Sequence, residues 1–164
     1  YLVYTASVIL SEAADRSLRV LLSTHHVLAA RLEPDVEHHV SAPGVPAGLL
    51  GLDVGPGTAA TYAVEIARAR TILWNGPMGV FEIPPFDSGT RVVAQAIANA
   101  TSRGAVSVVG GGDTAAAAQV AGVAERMTHV STGGGASLEF LEGRTLPGVA
   151  ALTDAPDAAA GAGT

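Results

Sequence analysis

The second half of the chain alternates short apolar runs with segments whose apolar residues recur at helical spacing. The runs are continuously apolar, which is typical of strands buried on both faces of a parallel sheet. A turn containing glycine ends most of the runs before the next helical segment begins. The predicted strands, in chain order, are Leu49–Gly55, Thr71–Trp74, Ala105–Val109, Thr128–Thr132 and Gly148–Leu152.

The segments between these runs predict helices. Thr58 would be the N-cap of a helix that runs to Arg70, and Phe86–Gly104 has helical spacing with Gly104 as its stop. Further helices are predicted within Asp113–Gly122 and Ala136–Gly143. The repeat of strand, turn and helix predicts an α/β fold, a three-layer Rossmann-like parallel sheet with helices on both faces.

The two ends of the chain are less regular. Arg19–Ala30 predicts a strand with a following turn, and Glu33–Gly48, with three prolines and two glycines, predicts a loop. We expect residues 1–153 to form one domain. Residues 154–164 are rich in small residues, which predicts a disordered tail.

Composition excludes several functions. Nine basic against fifteen acidic residues give a net charge of −6, which argues against nonspecific nucleic-acid binding. The chain has no cysteine, so it has no disulfide or thiolate metal site. No apolar run approaches the roughly 20 residues of a membrane helix. The opening residues also lack the basic stretch that is typical of a signal peptide. We therefore expect a soluble cytoplasmic protein that binds neither nucleic acid nor membrane.

Three glycine turns carry the candidate chemistry: Asn75–Gly79, Gly110–Gly112 and Gly133–Gly135. Each follows a predicted strand, so all three would lie at the carboxyl edge of the sheet and face one crevice. A helix N-terminus presents unpaired N–H groups, and a preceding glycine lets a phosphate approach them closely. Two triplets on one edge would suit a polyphosphate, although each would also serve as a plain tight turn.

Four polar residues near these turns have two interpretations each. Asp113 would be a helix N-cap or a carboxylate near a phosphate-bound Mg²⁺. Thr114 would cap the same helix or donate to a phosphate oxygen. Asn75 would stabilise its own turn or donate to a phosphate, and Glu82 would be a solvated charge or bind a ribose hydroxyl. Four of the five histidines form two adjacent pairs whose side chains would point to opposite faces, and His129 stands alone, so we do not expect a histidine metal site.

The stretches "TILWNGPMGVFE", "VSVVGGGDTAAA", "HVSTGGGASLEFLEG" and "LPGVAAL", with "GLDVGP" before them, resemble the carboxyl-terminal, nucleotide-binding domain of phosphoglycerate kinases. The motifs are long, specific and in order over Leu49–Thr153. The resemblance implies that residues 1–153 form part of that domain. It also implies Mg²⁺-dependent phosphoryl transfer between 1,3-bisphosphoglycerate and ADP, giving 3-phosphoglycerate and ATP, in a cytoplasmic monomer.

The same resemblance implies roles for individual residues. Gly51 and Leu52 would line the adenine side, with Gly76, Met78 and Phe81 shaping that pocket and Glu82 holding the ribose. Asn75 would lie near the phosphates. The nucleotide phosphates and Mg²⁺ would be bound by Gly111, Gly112, Asp113 and Thr114, with Asp113 nearest the metal. Gly133, Gly134 and Gly135 would aim a helix N-terminus at the transferring phosphoryl group.

The sequence departs from the family pattern in four ways. The family's amino-terminal domain, which holds phosphoglycerate, has no counterpart in these 164 residues, and neither does a Gly-Gly-Ala-Lys stretch, so the sheet would be incomplete at its amino-terminal side. All nine basic residues are arginine, so the family's phosphate-binding lysines are absent. Gly57 replaces a residue that is usually charged, and "STHHVLAA" replaces an apolar strand. We therefore predict that this chain alone does not turn over.

Two other functions remain open from the sequence. The chain would be a non-catalytic nucleotide-binding remnant of a truncated gene, with the same loop residues. Alternatively, it would be a plain α/β domain whose glycines serve only turns, in which case it would bind no nucleotide.

Overall fold

A computed structural model describes residues 2–131 and 133–152. The predicted tail, 154–164, lies outside the described residues. The helices are α1 (Leu2–Asp15), α2 (Pro56–Arg68), α3 (Ser88–Ser102), α4 (Gly112–Val120), α5 (Gly134–Leu141) and α6 (Pro147–Ala150). The strands are β1 (His26–Ala29), β2 (His38–Ser41), β3 (Leu50–Val54), β4 (Thr71–Asn75), β5 (Val106–Gly110) and β6 (His129–Ser131).

A parallel sheet flanked by helices confirms the predicted α/β class. Its strand order is β4-β5-β6, and each crossover between neighbours contains a helix. The register pairs Asn75 with Gly110 and Gly110 with Ser131, so the three strands end together. Burial is less complete than the apolar runs predict, because Leu73 and Val106 are each more than two-fifths exposed.

The main core lies between this sheet and its helices. It contains Trp74 of β4, Val109 of β5 and, from α3, Val93 and Ile97. The buried residues of α3 recur at helical spacing, as the sequence pattern predicts. Because they form one apolar stripe that packs against the sheet, this half of the chain folds as predicted.

A second, antiparallel sheet corrects the expectation of one parallel sheet. Its order is β2-β1-β3, so the predicted strand at Leu49–Gly55 forms there as β3 rather than in the parallel sheet. The predicted loop at Glu33–Gly48 contains β2. Only residues 30–37 join β1 to β2, a connection shorter than the dozen or more residues that parallel neighbours need, so these two strands pair antiparallel.

Two smaller predictions were wrong for reasons of proline chemistry. The run at Gly148–Leu152 is not a strand, because Pro147 opens the short helix α6, and proline favours the first position of a helix. Helix α2 likewise begins at Pro56 with Gly55 as its N-cap, so Thr58 lies inside the helix instead of capping it. The N-terminal helix α1 was not predicted, and most of its large apolar side chains are exposed.

Candidate functional site

The two glycine triplets are in direct contact. A Cβ built on Gly134 would lie 2.7 Å from the Cα of Gly111 and 3.2 Å from its nitrogen, so only glycine fits at this contact. Gly111 has φ +97°, a conformation that favours glycine, and its N–H donates to the carbonyl of Ser131 at 3.1 Å. The carboxyl ends of β5 and β6 therefore bring the N-termini of α4 and α5 together.

The turn after β4 joins the same edge. The hydroxyl of Thr114 accepts a hydrogen bond from the Gly76 N–H at 2.7 Å. A Cβ on Gly111 would lie 3.6 Å from both Asn75 Oδ1 and Thr114 Oγ1, so these side chains surround the first triplet. All three glycine turns thus face one region, as the strand pattern predicts.

Asp113 lies in the first turn of α4 and is exposed. The N-cap of α4 is Gly111 and no side chain caps the helix, so the capping interpretations of Asp113 and Thr114 are wrong. A carboxylate in this first turn is favourable beside the partial positive charge of the helix N-terminus. Within residues 2–131 and 133–152 no three His, Cys, Asp or Glu residues cluster as a metal site.

A cleft of about 350 Å³ lies beside β3 and brings together three of the predicted residues, Gly51, Leu52 and Met78. A hydrogen bond from the Val80 N–H to the Leu52 carbonyl, at 2.9 Å, joins two sides of this cleft. Phe81 is not on this wall: it is buried in the main core. Glu82, next to it, is exposed.

Sequence reasoning missed several residues of this cleft: Ser23, His26, Asp53, Val54, Pro77, Gly79 and Val80. Pro77, Gly79 and Val80 lie inside the stretch "TILWNGPMGVFE", so their place between Gly76 and Phe81 was a signal that could have found them. Ser23 and His26 carried no such signal, because they come from a segment whose fold was not apparent.

Asp53 is the most unusual group of the cleft. Its residue is only 4% exposed, and its carboxylate accepts hydrogen bonds from the Gly89 N–H at 2.7 Å and the Val54 N–H at 2.8 Å. Burial raises the pKa of Asp53 from 3.8 to about 6, the two N–H groups lower it, and the nearby charge of Asp87 adds a smaller increase. Asp53 thereby attaches β3 to the N-terminus of α3.

Comparisons with known proteins show the family of this chain. The family model described as phosphoglycerate kinase matches residues 2–144. The chain belongs to the phosphoglycerate kinase family. The phosphoglycerate kinase of Chloroflexus aggregans is 52% identical over 151 residues, and that of Chlorobium chlorochromatii is 55% identical over 147.

The match is partial in length. The chain spans 38% and 37% of those two phosphoglycerate kinases, although 92% and 89% of the chain itself is covered. The solved phosphoglycerate kinase of Coxiella burnetii superposes with a TM-score of 0.82 at 44% identity, covering 89% of this chain and 37% of that one. Among the helices of the described residues, none is long and apolar enough to cross a membrane.

Proposed function

We propose that this chain supplies the nucleotide side of a phosphoglycerate kinase site, for phosphoryl transfer between 1,3-bisphosphoglycerate and ADP. The observation that carries the proposal is the contact between Gly111 and Gly134, which puts the first turns of α4 and α5 at one point. Two helix N-termini at one point form a strong environment for phosphate groups. Phosphoryl transfer depends mainly on such positioning and charge neutralisation.

The nucleotide phosphates would bind at Gly111, Gly112 and Thr114, with Asn75 beside them. Gly133, Gly134 and Gly135 would contribute the N-terminus of α5 to the transferring phosphoryl group. Because the glycines carry no side chains, their backbone N–H groups are accessible to phosphate oxygens in this role.

The adenine side would be the cleft beside β3, where Gly51, Leu52 and Met78 meet. Gly76 begins the turn that carries Met78 into this cleft. Phe81 is buried in the main core and would hold the segment around Glu82 in place. Glu82 is exposed directly after Phe81 and would accept a hydrogen bond from a ribose hydroxyl.

Asp113 would hold Mg²⁺. The exposed carboxylate in the first turn of α4 fits this cation, which prefers oxygen ligands and takes one or two carboxylates together with substrate phosphates. Bound Mg²⁺ would neutralise charge on the phosphates. We further propose a cytoplasmic monomer that needs a phosphoglycerate-binding domain outside these residues, so that the 164-residue chain alone shows no 3-phosphoglycerate-dependent ATP consumption.

Calorimetric titration of the chain with Mg-ADP tests this proposal. We expect saturable binding, and we expect Asp113→Ala to weaken Mg-ADP binding about tenfold, the loss of one charge-assisted contact. ADP titrated in excess chelator should bind wild type and Asp113→Ala alike. Glu125→Ala, which removes an exposed acid from the turn after α4, is the matched charge control and should bind as wild type does.

Two results would contradict the proposal. If the folded chain does not bind Mg-ADP, the glycine turns serve only the fold, as in a plain α/β domain. If Mg-ADP binds but Asp113→Ala has no effect, the metal role of Asp113 is wrong, and the non-catalytic nucleotide-binding alternative gains support.

A further inference from the structure

Three helices of the protein carry a buried threonine at their third residue. Thr58, Thr90 and Thr114 occupy this position in α2, α3 and α4, and each is 1% exposed. Each hydroxyl accepts a hydrogen bond from a backbone N–H of a loop that lies at least 11 residues away in sequence. The shared position indicates a common device that fixes a loop to the first turn of a helix.

Two of these threonines hold the same loop, the turn Gly76–Gly79. Thr114 accepts from the Gly76 N–H at 2.7 Å, and Thr90 accepts from the N–H groups of Met78 at 3.0 Å and Gly79 at 3.4 Å. Pro77, between them, has no N–H. The two hydroxyls therefore accept from every backbone donor of the turn.

Two further contacts hold the ends of this turn: the Trp74 indole N–H donates to the Gly76 carbonyl at 2.8 Å, and Gly79 lies directly against Asp53. Gly76 has φ +101°, and a Cβ built there would meet nothing within 4 Å. The next N–H, that of Val80, is bonded to the carbonyl of Leu52 on the cleft wall. The path from Gly76 to the cleft is thus fixed by α3 on one side, by α4 on the other and by β3 at its end.

We propose that Thr90 is a positioning residue of the nucleotide site: its hydroxyl holds the Gly76–Gly79 turn where Met78 and Pro77 line the cleft. This inference rests on the proposed function, because the turn is assigned to the nucleotide. Thr90 itself does not line the cleft. It acts through the backbone of Met78 and Gly79.

Hydrogen exchange and Mg-ADP titration of Thr90→Val, Thr90→Ser and Thr58→Val test the proposal. Valine keeps the shape of threonine and removes the acceptor, which leaves two N–H groups unpaired. We expect exchange at Met78 and Gly79 to rise about tenfold or more in Thr90→Val and the Mg-ADP dissociation constant to rise about tenfold. Thr90→Ser keeps the hydroxyl and should restore both values to near wild type.

Thr58→Val is the matched control. Thr58 has the same helical position and burial, but its hydroxyl accepts from Thr24 and His25 instead of the Gly76–Gly79 turn. It should lower the unfolding temperature comparably while leaving exchange at Met78 and Gly79 within about threefold of wild type. Exchange at these two amides is the control readout, because the loop that Thr58 holds carries the cleft residues Ser23 and His26.

The outcomes separate this inference from the proposed function. Unchanged exchange at Met78 and Gly79 in Thr90→Val, unchanged affinity of that variant for Mg-ADP, or an equal rise in exchange at these two amides in Thr58→Val would overturn the positioning role. If wild type binds no Mg-ADP but exchange rises in Thr90→Val alone, Thr90 holds the turn and the proposed function fails.

Discussion

The two sheets of this protein differ in how they are stabilised. Among the described residues, the parallel sheet and its helices share a core of eleven buried side chains, whereas the antiparallel sheet packs around four: Val27, Ala29, Leu52 and Phe86. His38 adds an edge-on ring contact to Phe86 at 6.0 Å. The parallel half therefore has enough buried apolar surface to define its own shape, and the antiparallel half depends on its attachments.

One of these attachments is the buried side chain of Asp53. Its carboxylate bonds the N-terminus of α3, and the glycines Gly79 and Gly89 both leave space for it. A buried carboxylate that receives two backbone N–H groups fixes geometry more strictly than apolar contact does. In the proposed site the parallel half would supply the phosphate side, and Asp53 is one of the polar contacts that join this half to the cleft.

Gly89→Ala should break this attachment and have the largest effect. The new methyl would overlap Oδ1 of Asp53 and lie 2.5 Å from Val54 Cγ2, so β3 must separate from α3. We expect a loss of about 3 kcal/mol in the free energy of unfolding, the upper part of the range for overpacking. Urea unfolding measures it.

Ser88→Ala, one residue earlier and exposed, is the control for that experiment. It should stay within about 0.5 kcal/mol of wild type. A Gly89→Ala variant as stable as Ser88→Ala would show that the two halves are joined by something other than Asp53.

The stability of the protein should also depend on pH through Asp53. The folded-state pKa of Asp53 is raised to about 6 from 3.8, so the folded protein favours the protonated group. The contribution of Asp53 to stability is therefore greatest below pH 4 and is lost as the pH rises through 6. The size of the loss is about 3 kcal/mol at most.

Asp53→Asn cannot ionise and should lack this dependence. We expect the unfolding free energy of the variant minus that of wild type to increase steadily between pH 4 and pH 7. Asp87 is the other acid facing this site, and its ion pair with Arg91 remains in both proteins. A difference that is constant across this range would contradict the raised pKa.

The same contrast explains how much could be predicted from the sequence. The strands β4, β5 and β6, and the helices that follow β4 and β5, were predictable because apolar runs ended by glycine are local signals. Strand direction alone predicted that the glycine turns face one crevice, whereas the direct contact of Gly111 with Gly134 is seen only in the structure. Asn75, Gly110 and Ser131 end their strands at one level, as a parallel sheet requires.

The antiparallel half depends on contacts that no local pattern shows. Asp53 and Gly89 are 36 residues apart, and the partners of Thr58 lie 33 and 34 residues before it. A hydroxyl inside a helix resembles a capping residue in sequence, and the acceptor role of Thr58 and Thr114 appears only when the remote loop is in place. The cleft residues Ser23 and His26 were missed for the same reason.

In the proposed function the two glycine turns form one phosphate site, and backbone amide shifts mapped during a Mg-ADP titration would show whether they act together. We predict that the amides of Gly111–Thr114 and of Gly134–Gly135 shift together along one saturation curve. Gly134→Ala, whose methyl would separate the turns, should abolish both sets of shifts. Shifts confined to one turn, or unchanged Mg-ADP binding in Gly134→Ala, would show that the two turns do not form one phosphate site.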